Sequence, residues 1–191
     1  MATAGGETPG PGRAPRADRL RNRDRILGAA VAVVARDGAS ASLELVAREA
    51  GVGSATLHRH FPSRTLLLEA VFSDRVRALC DRADELAAQL PPEEALSRWL
   101  AELADYAAST RGLADTLLAS RTTSAGSLQT CHTMLRQAGE RLLHDAVAAG
   151  TVRPLPVDDL LGLADGISHA CQHDPGSAGR LMALALQGIQ V

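Results

Sequence analysis

The sequence predicts an all-α protein, and three observations carry that expectation. The core is built from alanine and leucine with only 2% aromatics, apolar residues recur at helical spacing through most of the chain, and no segment alternates convincingly with period 2. Small and γ-branched aliphatics pack helices together more readily than they fill pleated sheets. At 191 residues the chain can bury a full core, as one compact unit or two small ones.

Residues 1–17 combine Pro, Gly and Thr with almost nothing to bury and are expected to form a disordered tail. From Asp18 a helix is predicted through Ile26, Leu27, Ala30, Val31, Val33 and Val34, stopping at Gly38. Ser42 suits the N-cap of a short helix to Ala50, closed by Gly51, and a second short helix follows from about Ser54 to His60. Phe61-Pro62-Ser63 interrupts it. Ser63 can cap a long helix through Leu66, Leu67, Ala70, Val71, Leu79 and Leu86, which Pro91-Pro92 ends while opening another with Leu96, Leu100 and Leu103 on one face. Four further helical segments are predicted, at roughly Leu113 to Arg121, Leu128 to Ala149, Val157 to Gln172 and Ser177 to Ile189. That makes about nine helices, with no internal repeat.

All 20 positive charges are arginine, and the formal net charge of −2 is unevenly spread. Residues 1–65 hold 10 Arg against 6 acidic residues, and residues 66–191 hold 10 Arg against 16. A basic head on an acidic body suits a modular nucleic-acid binder, because only the contacting face needs to attract phosphate. Cys80, Cys131 and Cys171 are an odd count with no CxxC spacing, which argues against a disulfide framework and for a reduced cytoplasm. The longest purely apolar run, Ala29 to Ala35, is far short of a membrane span, so no membrane partner is expected.

The joint between the second and third helices is the most specific feature. Ala47 is small where two helices would cross closely, Gly51 can take positive φ in the turn, and Leu57 can anchor the following helix. These are the requirements of a helix-turn-helix. The chain divides accordingly into a tail (1–17), a helix-turn-helix unit (18–64) and a helical body (65–191).

The stretch from Arg25 to Phe72 closely resembles the DNA-binding domain of TetR-family regulators. Val46-Ala47, Ala50-Gly51-Val52, Thr56-Leu57, Phe61 and Ser63-Arg64 match the family pattern position by position. The resemblance implies that Ser54 to His60 is a recognition helix for double-stranded DNA. Ser54, Ala55 and Arg59 would face base edges, and Thr56, His58 and Arg64 would lie on phosphate, with His60 completing the DNA-facing set. Two departures stand out. His58 replaces the family's common tyrosine, and Gly53 sits where a capping Ser or Thr is usual. Arg13, Arg16, Arg19, Arg21, Arg23 and Arg25 suggest a minor-groove arm, or a run of merely solvated charge.

The resemblance also implies a small-molecule pocket in the body and a homodimer through the last two helices, so that ligand binding releases a repressor from a near-palindromic operator. An activator or an unliganded DNA binder is the alternative reading. Trp99, Leu103, Tyr106, Arg121 and His132 are the candidate ligand-binding residues. The last two segments intersperse Gly162, Gly166, Ala170, Ala178, Ala183, Ala185 and Gly188 with leucines, a composition that lets helices approach closely. His169, Cys171 and His173 invite a metal reading but lack a convincing third ligand, so neither metal nor cofactor is expected. No phosphate loop, nucleophile elbow or paired-carboxylate signature points to an enzyme.

Overall fold

The structure, a computed structural model, describes residues 14–37, 41–119 and 124–189. All regular secondary structure among these residues is helical. The elements are α1 (Ala14–Asp37), α2 (Leu43–Glu49), α3 (Ser54–His60), α4 (Arg64–Gln89), α5 (Pro92–Ala119), α6 (Ser124–Ala148), α7 (Val157–Ala170) and α8 (Ala178–Leu186), with a 3-10 turn at Pro175–Ser177 leading into α8. Among the described residues no helix is long and apolar enough to cross a membrane.

Local chemistry sets most boundaries. Ser42 and Ser63 both take extended backbone, and their hydroxyls accept from the amides of Leu45 (3.1 Å) and Leu66 (3.2 Å) at the starts of α2 and α4. Each cap satisfies an amide that the helix itself leaves open, worth about 1 kcal/mol. Gly51 (φ 61°) and Gly150 (φ 73°) take the left-handed conformation that ends α2 and α6.

Three expectations need correction. α1 begins at Ala14, four residues before Asp18, so part of the expected tail is helical. Pro15 falls in the first turn, where its missing N–H costs nothing. The predicted Leu113 segment is not separate: α5 runs unbroken for 28 residues, which gives eight α-helices among the described residues where about nine were expected. Its one interior glycine, Gly112, weakens a helix by about 1 kcal/mol relative to Ala but does not end it. α6 likewise begins at Ser124, four residues earlier than predicted.

Packing resolves into two buried clusters. The first joins Ile26, Leu27, Ala30, Val33 and Val34 of α1 to Val46, Ala47, Ala50, Leu57 and Phe61 around the turn, and takes in Leu67, Leu68 and Val71 of α4. The second holds Leu79, Ala83 and Leu86 of α4 with residues of α5 to α8. α5 is the hub of the body, packing on α4, α6, α7 and α8. α4 therefore serves both cores, and any tilt of it in the body moves the floor beneath α3.

Candidate nucleic-acid interface

α3 stands on a tight corner. The amide of Gly51 donates to the Arg48 carbonyl (3.1 Å) and that of Val52 to the Ala47 carbonyl (3.0 Å), while the Gly51 carbonyl accepts from Arg25 Nη2 of α1 (3.1 Å). A Cβ at Gly51 would come within 2.7 Å of that same nitrogen. Positive φ calls for glycine here, whereas the mobile end of the Arg25 side chain could shift to admit a Cβ.

From this corner α3 presents two faces. Leu57 (1% exposed) and Phe61 (4%) point into the first core. Ser54, Ala55, His58 and Arg59 lie on the other side, all exposed, with Thr56 and His60 half-buried at its edges. The spacing of the four, at i, i+1, i+4 and i+5, places them along one face. Gly53 occupies the N-cap without a side-chain hydrogen bond, as the sequence indicated. The structure thus brings six of the seven sequence-predicted DNA-binding residues onto one short helix.

Arg64, the seventh, is half-buried at the start of α4, and its Nε and Nη2 are buried with no hydrogen-bond partner. Buried guanidinium donors without acceptors are costly. Arg64 is turned inward and must swing out to reach a phosphate.

The arginines read as a minor-groove arm or as merely solvated charge are helical where described. Arg19, Arg21, Arg23 and Arg25 lie on α1, whereas Arg13 falls outside the described residues. The Arg23 guanidinium stacks 5.6 Å from the centroid of the Phe61 ring. Arg25 as a strut was not legible in the sequence, since its acceptor lies 26 residues away and carries no local signature.

Partial burial holds the His60 imidazole below its ordinary pKa of 6.5, and the nearby Arg19, Arg23 and Arg59 add to the effect. The unfolded chain takes up a proton near 6.5 that the folded chain accepts only at lower pH. The resulting stability is fully present above 6.5 and is lost as pH falls below it. Denaturation between about pH 7.5 and about pH 5.5 should destabilise the native chain more than a His60→Gln variant. Equal losses would show that His60 is not the source.

The predicted ligand residues do not converge. Trp99 is fully buried, with its indole N–H donating to the Leu79 carbonyl at 2.9 Å, and belongs to the second core. Tyr106 lines an open cavity of about 670 Å³ between α1, α4 and α5, together with Val31, Val34, Val71 and Arg75. Its hydroxyl is buried and makes no hydrogen bond of ordinary geometry among the described residues, with Thr110 its polar neighbour. Burial pushes its pKa up to about 12, against the opposing pull of Thr110 and Arg75. Leu103 and His132 line a different cavity of about 500 Å³ between α5, α6 and α7. Trp99 lines neither. Arg121, Thr122 and Thr123 lie outside the described residues. α7 ends at Ala170, so His169 and His173 do not share a helical face.

Residues 91–191, more than half of the chain, match the family described as transcriptional regulator SbtR-like, C-terminal domain, and residues 26–71 match the bacterial regulatory proteins of the tetR family. The crystal structure of the TetR transcriptional regulator SCO0520 from Streptomyces coelicolor is 38% identical with a TM-score of 0.75, covering 88% of this chain and 98% of that one. The chain belongs to the TetR family of transcriptional regulators. A TetR regulatory protein from Mycobacterium vanbaalenii is similar at 31% identity and a TM-score of 0.76, over 93% of this chain and 99% of the other. Over 83 residues this TetR-family chain is also 42% identical to the HTH-type transcriptional repressor LfrR of Mycolicibacterium smegmatis (strain ATCC 700084 / mc(2)155), a match spanning 42% of the length of each protein.

Proposed function

We propose that this chain is a dimeric repressor that holds a near-palindromic operator through α3 and releases it when a small molecule fills the body. The observation that carries this reading is the two-faced geometry of α3. Leu57 and Phe61 anchor the helix, and the opposite face offers Ser54, Ala55, His58 and Arg59, all exposed among the described residues. Arg59 supplies a planar fork that pairs with the O6 and N7 of guanine. Ser54 and Ala55 lie beside it for base edges, and Thr56, His58, His60 and, once swung out, Arg64 reach phosphates.

Operator sequences selected from a random-sequence duplex pool test this directly. Arg59→Ala should lose about 1–3 kcal/mol of discrimination between the selected site and random duplex, with folding retained. A variant that still selects the same sequence would remove the recognition-helix assignment.

Dimerisation through α7 and α8 is supported by a face of leucines and small residues that the described residues leave partly exposed. Leu163 (39% exposed), Leu181 (39%) and Leu184 (61%) stand out among Gly162, Gly166, Ala170, Ala183 and Ala185, all exposed. Two copies would place their α3 helices about 34–36 Å apart, one turn of B-DNA. Effector binding is supported by the two cavities described above. The one lined by Tyr106 touches α1 and α4, so a ligand there that prefers a different α4 tilt would shift the α3 spacing.

A further inference from the structure

Between the start of α1 and the end of α3 lies a cleft of about 430 Å³, lined by Asp18, Arg19, Asn22, Thr56, Arg59 and His60. Its two arginines outnumber its single carboxylate. Asp18 is engaged by Arg21, one turn along α1. Arg19 and Arg59 form no ion pair with any described residue. Arg23, one turn on from Arg19, adds a third guanidinium and spends its flat face on the Phe61 ring. All three press on His60 in the direction of an uncharged imidazole. With the one carboxylate already engaged by Arg21, the remaining guanidinium groups repel one another, and a bound anion relieves that repulsion.

The remaining lining groups suit an oxyanion. Asn22 offers an amide NH₂, Thr56 a hydroxyl and neutral His60 one ring N–H, alongside the forked donors of Arg19, while Arg59 at the rim keeps its fork for the base edge and adds only its charge. Arg59 also belongs to the exposed face of α3, so the cleft is continuous with the surface already assigned to DNA.

We propose that this cleft seats one backbone phosphodiester of duplex DNA, with Arg19 and Asn22 of α1 as its positioning residues. The assignment rests on the operator-binding reading above. It gives α1 a role beyond packing: a phosphate held between α1 and α3 sets the angle at which α3 enters the groove, and the Arg25 strut to Gly51 braces the same pair of elements.

The test uses the full chain and a fluorescent random-sequence duplex, titrated across a series of NaCl concentrations. Losing one phosphate contact reduces the slope of log K against log[salt] by about 0.9. Arg19→Ala should therefore flatten the slope by that amount and weaken all sequences alike. Arg77→Ala, which removes the same charge from an exposed pair with Asp74 on α4, should leave the slope unchanged. Asn22→Asp places a carboxylate in the seat and should weaken binding at low salt by about tenfold or more. Both α1 positions are accessible and melting curves report whether the variants remain folded. Equal slopes for Arg19→Ala and Arg77→Ala, or native affinity for Asn22→Asp, would overturn the seat while leaving sequence selection by Arg59 intact. Inorganic phosphate titrated at constant ionic strength separates the sources. If it protects the cleft while the duplex slope ignores Arg19, the site takes a free anion and the proposal fails. If the native chain binds no duplex at any salt, the operator reading fails first and the seat with it.

Discussion

Leu184→Glu is expected to turn the protein into a folded monomer and to lower its affinity for a full operator by about 10²–10⁴. Leu184 is 61% exposed on α8, so a carboxylate there costs the isolated chain almost nothing. In a two-fold interface the same substitution appears twice, and two buried carboxylates face an apolar surface made of Leu163 and Leu181. The loss in DNA affinity follows from geometry. A seven-residue α3 buries too little surface to bind tightly alone, and linkage of two half-sites supplies the difference. Sedimentation measures the oligomeric state, and duplexes carrying one or two half-sites measure the rest. The monomer should bind both duplexes with similar weak affinity. A variant that remains dimeric with native affinity would place the interface elsewhere.

Trp99→Ala is expected to destabilise the body by about 3–5 kcal/mol. The ring is fully buried, its N–H is satisfied by the Leu79 carbonyl, and it packs so closely on α6 that a Cβ at Gly139 would lie 3.2 Å from Cζ3. No neighbour can collapse into the space without moving α4 or α6. Trp99→Phe keeps most of the volume and loses the hydrogen bond, and should cost about 1–2 kcal/mol more than a neutral exchange. Guanidinium unfolding followed by circular dichroism gives both values, since Trp99 is the chain's only tryptophan and fluorescence is lost with it. A near-neutral Trp99→Ala would restore the sequence-based expectation that this side chain lines a ligand cavity.

What was legible beforehand follows a physical divide. The serine caps, the Gly51 corner, the limits of α3 and the Pro91-Pro92 break rest on interactions within a few residues, so composition and spacing reveal them. The joined α5 was not legible because Gly112 precedes the Leu113 segment, and a single interior glycine weakens a helix without ending it. Trp99 and Tyr106 share a spacing that suggested one shared cavity. Trp99 faces Leu79 and the second core, and Tyr106 reaches a cleft against α1, because a seven-residue step keeps the helix face but moves about 10 Å along the axis, to different neighbours. Arg19 and Arg25 are visible in the sequence only as members of an arginine run, and Asn22 carries no motif at all.

From the chain's order of residues alone came the helical class, the turn that supports α3 and the identity of the side chains displayed there. These depend on backbone preferences and short-range hydrogen bonds, which any stretch of ten residues already contains. The sharing of α4 between two cores, the inward turn of Arg64 and the meeting of α1 with α3 around His60 depend on contacts between residues far apart along the chain. Their positions are set by how the helices pack, and packing is a property of the whole fold.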